Sequence, residues 1–301
     1  MPVGAHAWVL SPDRQGTSAM VIWDNRLNRS APLVLSASVA TDAVRHVDLF
    51  GNETTLRPMG GVHRMPVGDL PAFIEGIDAA LVLFRANLTL DEPFIPSETR
   101  VHQRMIRVHN PWPMAITGSI SLDEAPGLDI RPRHQTFTIP PGQTASLPVE
   151  MLTDRSILSG RRAMTLVAEI VADDDYSLRI PLALEVGLKR LECHATWRLA
   201  MNQTTNMEDL IVSVRVTNHG ETPTNLDVFT ASAETGRDHQ IIAGLSPQLT
   251  TLRTFRFPNG RQFLSGKRML VGVAERDGAA RLNLALEIPP LIPRTASVTS
   301  P

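Results

Sequence analysis

Residues 100–122, RVHQRMIRVHNPWPMAITGSISL, read as a strand, an Asn, a rigid Pro-rich turn and a second strand. Apolar and β-branched residues interleave with polar ones on both sides of the turn, as in half-buried strands. The Asn at the strand end tolerates a left-handed backbone and can bond neighbouring backbone groups, so it closes the strand cleanly. The same order returns about 100 residues later. Arg107-Val108-His109-Asn110 corresponds to Arg215-Val216-Thr217-Asn218, and Pro141 before Gly142-Gln143-Thr144 to Pro247 before Gln248-Leu249-Thr250. Leu158-Ser159-Gly160-Arg161-Arg162 corresponds to Leu264-Ser265-Gly266-Lys267-Arg268, and Leu182-Ala183-Leu184-Glu185-Val186 to Leu284-Ala285-Leu286-Glu287-Ile288. The offsets are 108, 106, 106 and 102, drifting only as loop lengths would. Four collinear matches predict a tandem pair, 85–189 and 190–290, each the size of an immunoglobulin-like sandwich.

Strand-like runs continue outward in both directions, from Ala7–Leu10 and Ala19–Trp23 to Ala280–Ile288. Turn signals separate them: SPD, FGN, PPG, ADDD, NHG, PNG and RDG. Ala79–Leu90 reads as one of these strands. No segment offers an amphipathic helix of 12 or more residues, and the best short candidate, Asp69–Ile77, is interrupted by Pro71 and Gly76. The expected fold class is all-β, with three consecutive antiparallel β-sandwich (immunoglobulin-like) domains at 1–84, 85–189 and 190–290. The Pro/Ser/Thr-rich tail, 291–301, is expected to be disordered.

Composition narrows the function classes. The 301 residues carry 29 Lys+Arg against 31 Asp+Glu, which leaves no basic footprint for nucleic acid. The single Cys193 excludes an internal disulfide and a cysteine metal cluster, and reads as a small buried hydrophobe. No apolar run approaches the length of a membrane helix. The N-terminus lacks the basic and apolar regions of a signal peptide and enters a strand almost at once, which reads as the C-terminal part of something longer. Pro 23 and Gly 19 stand against Phe 9, Trp 4 and Tyr 1, which suits many short strands and argues against a typical stacking module.

The strand–Asn–turn, Pro-Gly-Gln-Thr and final-strand order resembles the immunoglobulin-like NEW3 family, whose domains accompany glycoside hydrolases, α-galactosidases among them. The resemblance covers 85–189 best and 190–290 more loosely. Upstream, Val47-Asp48-Leu49-Phe50-Gly51-Asn52 precedes Met65-Pro66-Val67-Gly68-Asp69-Leu70-Pro71-Ala72-Phe73-Ile74-Glu75-Gly76-Ile77. That order is similar to the small β-sandwich that follows the catalytic barrel in many glycoside hydrolases. The resemblance implies an extracellular or periplasmic protein, with a glycoside hydrolase catalytic domain or a polysaccharide as partner.

No catalytic apparatus is visible. Glycosidases need two carboxyl groups flanking the scissile bond on a scaffold that holds them apart. Glu75 and Asp78 lie three apart in a closing segment and read as solvated loop charges. His102 and His109, seven apart in one run, fall on opposite faces of a regular strand, which argues against a two-histidine metal site. Asp173-Asp174-Asp175 lacks the pattern of a calcium loop and reads as a polar hairpin turn. No catalytic residue, metal site or cofactor is expected.

Among the tryptophans, Trp8 and Trp23 read as core, and Trp197 shares a strand face with Cys193 and is expected to be buried with it. Trp112, in Asn110-Pro111-Trp112-Pro113, is the candidate carbohydrate-binding residue, although a Trp on such a loop also suits a plug at the end of the sandwich. The preferred reading is a non-catalytic accessory region that supports or spaces a catalytic barrel. The alternatives are a stand-alone carbohydrate-binding or adhesion protein and a scaffold that adds strands at a sheet edge.

Overall fold

A computed structural model describes residues 5–10, 18–26, 33–123 and 126–290. The tail at 291–301 lies outside the described residues. The described residues are nearly all β, in sheets that are antiparallel except where the short Phe94–Pro96 strand pairs parallel to Glu185–Gly187. The first part holds β1 (Ala5–Leu10), β2 (Ala19–Asp24), β3 (Leu33–Ala37), β4 (Val44–Val47), β5 (Glu53–Leu56), β6 (His63–Val67) and β7 (Ala72–Glu75). A five-stranded sheet in the order β1-β2-β7-β4-β5 faces the β3-β6 pair across a core that includes Met20, Ile22, Ile74, Met65 and Val67.

Helix α1 (Ala79–Asn87) follows. The strand expected over Ala79–Leu90 is therefore corrected. Asp78 caps the helix by accepting the Leu81 N–H at 2.9 Å, and the Ala/Leu-rich run that follows has high helix propensity. Leu81 and Phe84, three apart, enter the next core, while Val82 packs on the first. The short helix candidate Asp69–Ile77 instead contains β7. Its Pro71 precedes the strand, and Gly76 follows it with φ of 81°.

The second sandwich contains β8 (Thr89–Leu90), β9 (Phe94–Pro96), β10 (Val101–His109), β11 (Ile116–Leu122) and β12 (Leu128–Arg131). It is completed by β13 (His134–Ile139), β14 (Thr144–Thr153), β15 (Gly160–Val171) and β16 (Asp175–Gly187). Its sheets run β12-β14-β10-β8 and β13-β11-β15-β16-β9. The third contains β17 (Leu191–Asn202), β18 (Met207–Asn218), β19 (Thr224–Ser232), β20 (Gly236–Leu245) and β21 (Thr250–Phe257). Helix α2 (Gly260–Leu264) then leads to β22 (Arg268–Glu275) and β23 (Arg281–Glu287). Its sheets, β17-β18-β21 and β20-β19-β22-β23, repeat the second in order. Each sandwich buries alternate residues of long strands, as in β16, where exposed and buried positions alternate from Asp175 to Ile180.

The repeated Asn has the same partners in both sandwiches. Asn110 ends β10, and its amide donates to the carbonyls of Met114 and Ile139 at 2.8 and 2.9 Å. Its Oδ1 accepts the Trp112 N–H at 2.9 Å. Asn218 ends β18 and donates to Thr222 and Leu245 at 2.9 and 2.8 Å, while its Oδ1 accepts the Gly220 N–H at 2.9 Å. Their backbones are matched too: Asn110 bonds Gln143 and Gly142, and Asn218 bonds Leu249 and Gln248. Met114 and Ile139 flank strands of the sheet opposite β10, so the side chain joins one sheet to the other. Both Asn residues are buried, so each bond is made away from competing water. One difference remains: the left-handed turn residue is Gly142 (φ 66°) in one copy and Gln248 (φ 59°) in the other.

Asn110→Ala should destabilise the second sandwich by about 3 kcal/mol, because buried backbone groups lose their partners. Asn218→Ala should do the same to the third. Denaturant unfolding followed separately by Trp112 and Trp197 fluorescence, in variants that each keep one of these Trp, checks the assignment to one sandwich each. Gln248→Gly should raise the third transition by up to about 1 kcal/mol, since Gly carries no Cβ penalty at positive φ.

Candidate functional site

The Asx turn at Asn110 directs Trp112 inward rather than outward. Trp112 is 2% exposed, with ring centroids of Phe84 and Tyr176 each 5.6 Å away. It closes the end of the second sandwich and offers no face to a sugar, which corrects its reading as a carbohydrate contact. The Tyr176 hydroxyl lies 2.7 Å from Asp78 Oδ2 and 3.0 Å from Asp173 Oδ1, and its one proton is shared between the two carboxylates. Burial, followed by these two carboxylates, pushes the tyrosine pKa up. The plug thus connects α1, its cap and the β15–β16 hairpin.

Two tryptophans read as core lie instead on the outer face of the first sandwich. Trp8 is 66% exposed and Trp23 is half-buried. On β1, Ala7 and Val9 pack on the core while His6, Trp8 and Leu10 take the other face. On β2, Met20, Ile22 and Asp24 point inward, leaving Val21 and Trp23 on that same outer face. His6 stacks on Trp23 at 5.0 Å and 15°, and Trp8 meets Trp23 edge-on at 5.4 Å and 89°. Alternation was legible in both strands. It could not say which of the two apolar faces would be covered.

The outer face continues across the sheet. Trp8 stands opposite Val21, Val21 opposite Phe73, and Phe73 opposite Val47. The Asp48–Asn52 turn leaves the sheet at the end where Trp23 lies, as the registers of β2, β7 and β4 require. Asp48 Oδ1 accepts the N–H groups of Phe50 and Asn52, both at 2.9 Å, and its Oδ2 accepts from the Asn52 amide at 2.7 Å. Hydrogen bonds from Asn52 hold the Asp48 carboxyl below the usual carboxylate range. This anchored turn presents Leu49 and Phe50, the latter 79% exposed. Arg45 borders the face, pairing with Glu75 and with Glu53 at 3.2 Å.

Seven of the nineteen large exposed apolar side chains among the described residues belong to the first sandwich, which supplies under a quarter of those residues. Among the described residues its core is also the smallest of the three. Apolar patches of this kind on a soluble fold mark interaction surfaces.

The remaining candidates are structural. Glu75 is engaged by Arg45, and Asp78 caps α1. His102 is buried and His109 lies on the other face of β10, as their spacing implies. Asp173 and Asp174 lie in the β15–β16 turn. No group of three metal-ligating side chains is assembled among the described residues, and no described helix is long and apolar enough to cross a membrane.

No protein-family model matches the chain, and no curated protein matches it. Among solved structures, the YadV chaperone is similar over 67% of this chain and 100% of its own, at 12% identity and a TM-score of 0.25. The CupB2 chaperone of Pseudomonas aeruginosa is similar over 65% of this chain and 97% of its own, at 14% identity and a TM-score of 0.25. Red sea bream transglutaminase matches 67% of this chain with 31% of its own, at 10% identity and a TM-score of 0.28. Likeness at this level carries no functional argument.

Cys193 is buried, and burial pushes its thiol pKa up to about 12, whereas Trp197 on the same strand face is only partly buried, which corrects the full burial expected for it. Only about one thiol in ten thousand is then ionised at pH 8, and the thiolate is the nucleophile. An aromatic disulfide reagent at pH 8 should leave the native chain unlabelled for hours and label one thiol at once in denaturant.

Proposed function

We propose that this chain is a non-catalytic β-sandwich binding region whose first sandwich docks onto a folded protein partner. The carrying observation is the outer face of β1-β2-β7-β4, where Trp8, Trp23, Val21, Phe73 and Val47 share one side of the sheet. That face is wider than one sugar ring, and its two indoles stand perpendicular rather than forming a flat platform. A broad apolar sheet face with a charged border suits another folded surface. The small core beneath it means that covering the face would also stabilise the sandwich that carries it.

The finer reading names the partner. The resemblance of residues 47–77 to the sandwich that follows glycosidase barrels points to a glycoside-hydrolase-like catalytic barrel outside the cytoplasm. The second and third sandwiches would then act as spacers. The anchored Leu49–Phe50 turn supports this reading, because Asp48 and Asn52, two residues of the resemblance, hold it open to a partner.

A second reading, carbohydrate binding, now rests on exposed Trp8 instead of Trp112. Hydrogen exchange separates the two. Adding a purified glycoside hydrolase barrel should protect β1, β2 and the 48–52 turn, and Trp8→Ser with Phe50→Ser should abolish that protection without altering exchange in β10–β23. Protection absent with the barrel, together with a saturable Trp8 fluorescence change on adding an oligosaccharide, would favour the carbohydrate reading.

A further inference from the structure

The second and third sandwiches meet along the β22–β23 hairpin. Arg281 N–H donates to the Ser97 carbonyl at 2.9 Å, and Ser159 N–H to the Asn283 carbonyl at 2.8 Å. Arg190, in the link between the sandwiches, pairs with Glu98 at 3.4 Å and Glu275 at 2.9 Å. Beside this seam lies a cleft of about 550 Å³, with Asp154 and Arg155 on one wall and Glu275, Arg276, Asp277 and Arg281 on the other.

One buried side chain organises both walls. The Asn283 amide donates to the carbonyls of Arg155 and Ile157, both at 2.9 Å. Its Oδ1 accepts from Arg281 Nε at 2.9 Å. Asn283 therefore fixes the backbone beneath one arginine and the side chain of the other. The Arg281 guanidinium also lies 4.5 Å over the ring of Phe229, as does that of Arg237. The ring fits there because its cross-strand neighbour is Gly272, where a Cβ would come within 2.7 Å of it.

Three carboxylates line the cleft, Asp154, Glu275 and Asp277, and each of them, like Asp227 beside it, has a partner other than Arg155 and Arg281. Asp227 holds Arg237 at 3.0 Å and His239 at 2.8 Å, and Glu275 holds Arg190. Asp277 accepts from the Asn225 amide at 3.3 Å, and Asp154 accepts the Ser156 N–H at 2.7 Å. Among the described residues no carboxylate forms an ion pair with Arg155 or Arg281. Burial, then the charges of Arg237 and Arg155, lower the Arg281 pKa. Like charges brought together at a partly buried seam repel, and an anion between them relieves that repulsion.

We propose that this cleft binds a phosphate- or sulfate-type dianion, gripped by Arg155 from the second sandwich and Arg281 from the third. Guanidinium forks match the oxygens of such anions in pairs, and a doubly charged ligand balances two arginines. Because each sandwich contributes one arginine, the bound anion fastens the two together. The site is independent of the docking face on the first sandwich.

The test uses the 301-residue chain. Sodium phosphate and, separately, sodium sulfate are titrated at constant ionic strength against sodium chloride, with binding followed by calorimetry and by thermal unfolding. Saturable binding in the millimolar range with a raised melting temperature is expected, and the stronger of the two titrations identifies the preferred anion. Arg155→Gln and Arg281→Gln should each weaken binding by about tenfold or more. Arg179→Gln, an exposed arginine paired with Asp123, should leave it unchanged. If Arg281→Gln does not fold, Arg155→Gln in its exposed loop still decides the matter. Responses no greater than with chloride, or binding undiminished in Arg155→Gln, would overturn the proposal.

Discussion

The tandem sandwiches depend on one recurring constraint: a buried Asn whose amide and carbonyl oxygen join two sheets at one end. Asn110 and Asn218 each donate once to the last residue of a strand in the opposing sheet and once within their own turn, and accept once from that turn. Side-chain hydrogen bonds of this kind cannot shift by a residue without leaving buried groups unpaired, so they set the register of the strand ends. Hydrophobic alternation then fills the space between the sheets. The Asn node also places Trp112, because the N–H that its Oδ1 accepts belongs to that residue.

The three sandwiches are unequal. The second and third bury large apolar sets across long strands, whereas the first buries few residues and leaves apolar side chains outside. Helix α1 couples the first to the second: it is capped by Asp78, which also accepts from Tyr176 of the second sandwich. The third is joined to the second by Asn283 and Arg190. The chain is thus tied at both junctions by polar groups, and the first sandwich carries more than its share of the exposed apolar side chains among the described residues.

Much of this was legible in the residues. The repeat located Asn110 and Asn218, and turn signals such as Arg276–Ala279 fell between paired strands. Other elements escaped. Strand β20 begins with the exposed run Gly236–His239, because an edge strand can be polar where it faces solvent. Helix α1 is short, and its apolar residues divide between two cores, so its pattern imitates a strand. Trp8 and Trp23 were read in the wrong environment, and Trp112 stayed open between a sugar contact and the plug that it is, for a common reason. Strand alternation separates two faces but does not label one as inside.

By itself the sequence determined an all-β chain with a tandem sandwich repeat, the residues that close its strands, and the burial of Cys193. Those features follow from local periodicity and turn chemistry, which act over a few residues. Only the tertiary structure decided which aromatic residues are covered and which arginines share a cleft. Burial is a property of what lies across the sheet, and Trp112 is covered by residues 28 and 64 positions away in Phe84 and Tyr176. Arg155 and Arg281 are brought together by Asn283, whose bonds span more than 100 residues of chain.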